Sequence, residues 1–142
     1  MDALLSLWDR QPLVAFHLTT AVAALALGLV ILARRKGTAG HRALGWTWVL
    51  LMGSTALSTA FIRDERLPNL AGFTPIHAFT IGVAVLLPLA VWQARQGRIA
   101  AHRRTMRRMY IGGCVLAGVF TLLPGRLLGN LLWGTVGGGI VS

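Results

Sequence analysis

A chain of 142 residues that is 55% hydrophobic, with a mean hydropathy of +0.65, holds more apolar matter than a soluble domain of this size can bury. That excludes an ordinary water-soluble globule and points to a bilayer. The formal net charge of +10 is the one feature that suggests nucleic acid, and its distribution along the chain argues against that partner.

The first ten residues carry Asp2 and Asp9 and a single basic residue, Arg10, at their end. A cleaved secretory signal would carry its positive charge at the start, so the apolar run that follows, Val14 to Ala33, is expected to stay as a transmembrane helix. Three more runs follow: Leu44 to Ile62, Pro75 to Trp92, and about Thr105 to Leu123. At 1.5 Å rise, about 20 residues cover a hydrocarbon core of roughly 30 Å, so each run is a candidate span. Pro75 stands where a helix tolerates it, in the first turn, whereas Pro88 is expected to kink the third helix. After Pro124-Gly125 the residues 126–142 are too short to span, and Leu127, Leu128, Leu131, Leu132 and Trp133 suit an interfacial segment.

The charges sort by loop. Arg34, Arg35, Lys36 and Arg42 lie between the first two runs, and Arg95, Arg98, Arg103, Arg104, Arg107 and Arg108 between the last two. The remaining basic residues, Arg10, Arg63, Arg66 and Arg126, share the other side with every acidic residue: Asp2, Asp9, Asp64 and Glu65. The positive-inside rule then puts the two basic loops in the cytoplasm and has both termini and the middle loop face outward. A basic rim of this kind attracts anionic lipid, and no nucleic acid is needed to explain it. Trp8 and Trp133 near the outer interface, and Trp46, Trp48, Trp92 and Tyr110 near the inner one, read as an aromatic belt.

One stretch occurs twice. Phe16-His17-Leu18-Thr19-Thr20 and Ile76-His77-Ala78-Phe79-Thr80 each open an apolar run, at an offset of 60 that also superposes Arg35 on Arg95 and Gly37 on Gly97. One extra residue near Ala101 then aligns His41-Arg42 with His102-Arg103. All four histidines of the chain fall in this repeat, one at each end of each copy. A self-match of this kind is the mark of an internal duplication, which in membrane proteins is commonly related by a pseudo-two-fold axis. The short loops make sequential helices antiparallel neighbours. The expected fold is therefore all-α: an integral membrane four-helix up-down-up-down bundle forming one domain over 1–142, with repeat one at about 14–62, repeat two at about 75–123 and an interfacial segment at 126–142.

In such a bundle helices one and three are diagonal, as are two and four. His17 is expected to face His77 near the outer mouth, and His41 to face His102 at the inner side, the two levels about 20–25 Å apart. Helices packed 8–10 Å apart leave a diagonal of roughly 13 Å, about the span of two imidazoles with a metal between them. Haem b, one or two per chain, suits such pairs because its porphyrin supplies four equatorial nitrogens and the protein need supply only two axial ones. Arg42 and Arg103, next to the inner pair, are candidate partners for the propionates, with Arg63 and Arg126 near the outer level. Gly45, Gly53, Gly82, Gly112, Gly113 and Gly118 offer close approach for a plate or for another helix. A zinc site or an ion transporter would need carboxylates in the spans, and none occurs there. Cys114, alone near the middle of helix four, reads as apolar filler.

Lys36-Gly37-Thr38 with His41-Arg42 and Gly45, Phe73-Thr74-Pro75-Ile76-His77, Ala101-His102-Arg103-Arg104-Thr105-Met106 and Tyr110-Ile111-Gly112-Gly113, with Phe120 to Arg126, resemble a bacterial family of predicted four-span membrane proteins of unknown function. The resemblance covers about His17 to Gly129 and implies a compact four-helix membrane protein; it brings no activity. More distantly, the architecture is similar to the di-haem cytochrome b561 group, whose members carry electrons across membranes between bis-histidine haems. This chain departs from that group in bearing one histidine per helix, so the pairs rest on the internal repeat.

The expected function is transmembrane electron transfer through bis-histidine haem, with exchange to quinol or an oxygen species at the outer mouth. The competing expectation is a cofactor-free accessory subunit of a larger membrane complex, its histidines bonded between helices. A quinone- or lipid-binding scaffold that stacks on Trp46 and Trp48 is a third.

Overall fold

The computed structural model of the chain describes residues 8–62, 75–122 and 129. It is all-helical among them. The elements are α1 (Pro12–Ala33), α2 (Ala39–Phe61), α3 (Pro75–Arg95), α4 (Ile99–Met109), a π-helical segment (Tyr110–Leu116) and α5 (Ala117–Thr121). The loop charges Arg63 and Arg66, together with Arg126 and all of the C-terminal segment but residue 129, lie outside the described residues.

Local chemistry sets the ends. α1 opens on Pro12, whose missing N–H costs nothing in a first turn. At its other end Lys36 reaches back to the Leu32 carbonyl, a cation on an orphan acceptor. α2 starts at Ala39 because the Thr38 hydroxyl accepts from the backbone N–H of His41 at 3.1 Å, a side-chain N-cap. α3 stops where Gly97 takes φ +70, which lets the N–H of Arg98 reach the Gln93 carbonyl at 2.9 Å. Gly37, the residue paired with Gly97 at the offset of 60, also has positive φ, +85. Helices two and four thus begin earlier than the apolar runs, so that His41 and His102 stand in first turns rather than in loops. α3 continues through Pro88 to Arg95.

α1 packs on α2, α2 on α3, α3 on α4, and the π segment packs back on α1 and α3. The core at their centre is Ala24 and Ile31 from α1, Trp48 and Met52 from α2, Val83, Leu87 and Ala90 from α3, and Met109, Tyr110 and Cys114 from the last segment. Outside it, Leu29, Leu50, Leu57, Val85 and Val119 are each exposed. Among the described residues two helices are long and apolar enough to cross a membrane, Pro12–Ala33 and the Ala78–Arg95 part of α3. The latter is almost wholly uncovered by protein, which in water would leave a cost of about 25 cal/mol per Å² of apolar surface and in lipid leaves none.

Two of the expected belt residues belong to this core. Trp48 is 2% exposed and donates its indole N–H to the Ala24 carbonyl at 2.9 Å, and Tyr110 donates its hydroxyl to the Leu25 carbonyl at 3.1 Å. Each is inside because a glycine on the facing helix makes room: a Cβ on Gly28 would stand 2.6 Å from Tyr110 Cδ2 and 2.9 Å from Trp48 Nε1. Trp46 and Trp92 stay exposed, as belt residues should. Trp48 is therefore not available for the stacking on Trp46 and Trp48 that a quinone- or lipid-binding scaffold would use, whereas Trp46 is exposed. Of the glycines expected to allow close approach, Gly113 does so, since a Cβ there would stand 3.3 Å from Met52 Cε, whereas a Cβ on Gly45, Gly82, Gly112 or Gly118 would meet nothing within 4 Å.

Candidate functional site

His17 is half-buried on α1 and turned towards α2. Its Nδ1 lies 3.1 Å from the Thr55 carbonyl, 2.9 Å from Ser58 Oγ and 3.2 Å from Thr59 Oγ1. Both hydroxyls already donate to that same carbonyl, at 2.8 and 2.9 Å. Every neighbour of Nδ1 is then an acceptor, so Nδ1 carries the proton and Nε2 keeps a free lone pair. Thr20 extends the polar set: it donates to the Phe16 and His17 carbonyls and lies 2.9 Å from Thr55 Oγ1. The histidine-centred reading of the sequence missed Thr55, Ser58 and Thr59. Their signal was present as hydroxyl residues at i, i+3 and i+4 within an apolar run, one stripe of a helix.

His102, on α4, has Nδ1 2.8 Å from the Ala90 carbonyl of α3. A carbonyl can only accept, so this Nδ1 also bears a proton. Thr105, one turn on, donates to Gln93 Oε1 at 2.9 Å and tightens the same α3–α4 contact. His41, in the first turn of α2, has its Nδ1 buried without a hydrogen-bond partner. Burial lowers its pKa from the ordinary 6.5, and the charges of His102, Lys36 and Arg42 act in the same direction. His41 and His102 thus share one end of the molecule.

The other named residues are distributed less simply. Arg42 donates from Nη1 to the Gly37 carbonyl at 3.2 Å, which ties it to its own loop. Arg103 stands on an outward groove of α4 with Arg104, Arg107 and Arg108. The backbone of His77 lies in the first turn of α3, and its side chain lies outside the described residues, so the outer pair is not brought into view. Cys114 is buried and donates to Met52 Sδ at 3.4 Å, as apolar filler should.

Among the described residues, no three His, Cys, Asp or Glu side chains gather as a metal cluster. A cofactor that brings its own equatorial ligands would ask for two imidazoles. His17 and His102 each place Nδ1–H on a carbonyl, a bond that metal-ligating histidines commonly make. The same bonds also join α1 to α2 and α3 to α4.

No curated protein and no solved structure matches the chain. Over residues 14–130 it matches the family described as "Predicted membrane protein (DUF2306)", a family of membrane proteins of unknown function, and it belongs to that family.

Proposed function

We propose that this protein is a four-span bundle of the bacterial inner membrane, with both termini periplasmic, that holds b-type haem on paired histidines and passes electrons across the membrane. The observation that carries the reading is the tautomer assignment: His17 and His102 each commit Nδ1–H to a carbonyl of a neighbouring helix and keep Nε2 for iron. His41 lies at the same end as His102, and its buried Nδ1 has no hydrogen-bond partner, which leaves that nitrogen open to a ligand. The inner pair His41–His102 is the first place we assign, and His17–His77 the second. Positive φ at both Gly37 and Gly97 favours the duplication from which these pairs were drawn. When bound, haem b supplies one-electron redox chemistry. The chain's own part is to orient the imidazoles through the Thr55 and Ala90 carbonyls and to present Arg42 to the propionates. The core of Trp48, Met52 and Tyr110 keeps water from the path between the levels, and quinol or an oxygen species is the exchange partner at the outer mouth.

An oxidised-minus-reduced spectrum of protein purified from haem-replete cells, with pyridine-haemochrome quantitation, tests this. One or two haems per chain is the expected result, and a flat spectrum overturns it. The second reading, a cofactor-free accessory subunit, is favoured by the fact that His17 and His102 already join helices. It predicts colourless protein that co-purifies with a larger complex.

A further inference from the structure

Ala100, Arg103, Arg104, Arg107, Arg108 and Ile111 line one groove of about 360 Å³ on the outer side of α4 and the start of the π segment. Their spacing, i, i+3, i+4, i+7, i+8 and i+11, is a single helical stripe with arginines in the middle and an apolar residue at each end. All four arginines are exposed, and none makes an ion pair or hydrogen bond with a described residue. Arg103 and Arg107, and Arg104 and Arg108, are like charges at i, i+4, which costs the helix a few tenths of a kcal/mol per pair unless an anion lies between them.

The depth of the stripe limits what that anion is. Tyr110 packs against Gly28 of α1, about a turn and a half before that helix ends at Ala33, so the arginines lie at the membrane's basic rim and Ile111 points the groove into the hydrocarbon. We propose that this groove is a binding site for an anionic phospholipid with two phosphodiesters in one headgroup, seated with one phosphate on Arg103 and Arg107 and the other on Arg104 and Arg108. Guanidinium forks match phosphate oxygens in pairs, a lipid with a single phosphate leaves half of the charge unanswered, and Ile111 gives an acyl chain its first contact. The site is independent of whether haem is bound.

Native mass spectrometry of the full-length protein in a neutral detergent tests it, with a tetra-acyl diphosphate lipid, phosphatidylglycerol, a zwitterionic lipid and inorganic pyrophosphate as the probes. One diphosphate lipid per chain is expected, held roughly tenfold more tightly than phosphatidylglycerol. R104Q/R107Q/R108Q, which leaves Arg103 in place, should weaken it roughly tenfold or more. R104K/R107K/R108K should fall between, since charge is kept and the fork geometry lost. R34Q/R35Q, on the other basic loop, should leave binding unchanged. Equal weakening by R34Q/R35Q would show only a diffuse basic rim, equal affinity for phosphatidylglycerol would remove the two-phosphate assignment, and displacement by pyrophosphate alone would replace the lipid with a free phosphate. Each of those results overturns the proposal. If the glutamine triple variant loses its helical circular dichroism, the lysine variant decides: full retention of wild-type affinity there overturns the fork-geometry assignment.

Discussion

Trp48 donates its indole N–H to the Ala24 carbonyl at 2.9 Å, and Gly28, one turn further along α1, is the reason the ring can reach it. The same glycine receives the edge of Tyr110, so three helical segments meet at one residue without a side chain.

Gly28→Ala puts a methyl within 2.6 Å of Tyr110 Cδ2 and 2.9 Å of Trp48 Nε1, both on large rings locked in the core. Overpacking of this kind costs about 1–3 kcal/mol. A lowered thermal midpoint in detergent is the expected outcome, whereas Gly82→Ala, where nothing lies within 4 Å, should leave the midpoint nearly unchanged.

Trp48→Phe keeps most of the apolar bulk and removes the donor to Ala24. A loss of about 0.5–1.5 kcal/mol is expected from the hydrogen bond and the smaller ring. Chemical denaturation followed by circular dichroism would measure it.

His17→Ala removes the partner of Thr55, Ser58 and Thr59. Interhelical polar bonds in membranes are worth about 0.6 kcal/mol on average, so the helices should stay assembled, and the haem proposed for the outer level should be lost. Retention of full haem stoichiometry in this variant would sink the assignment of the outer pair. His102→Ala should instead deplete the inner level.

The lowered pKa of His41 makes a pH prediction. Above the ordinary value of 6.5 the ring is neutral in both folded and unfolded chains, and the full stability is present. As pH falls below 6.5 the unfolded chain takes up a proton first, so stability drops until the pH passes the lower folded value. His41→Gln should flatten that decline. Thermal midpoints of the two proteins between pH 8 and pH 5, with no difference in slope, would refute the assignment.

Much of the architecture is legible in the residues themselves. Apolar runs of membrane length mark the helices, and Thr38 and Gly97 mark where two of them start and stop, because capping depends on chemistry within a few residues. The division of arginines between loops is likewise a linear property. The aromatic residues show where such reading fails. Trp46 and Trp48 are two positions apart and alike in composition, yet one is 51% exposed and the other 2%, because helical rotation turns Trp48 onto a glycine of another helix.

The histidines divide in the same way. Their number, their pairing at offsets of 60 and 61 and their places at the ends of apolar runs are set by sequence alone. Which nitrogen His17 and His102 commit to a hydrogen bond was decided only by tertiary structure, since that depends on the carbonyl another helix brings within about 3.1 Å. Thr55 and Ala90 are 38 and 12 residues away from the rings they orient. Membership of a bilayer follows from composition, because total apolar surface is a sum over residues. The arrangement of polar atoms within it follows from packing, because hydrogen bonds depend on which faces meet.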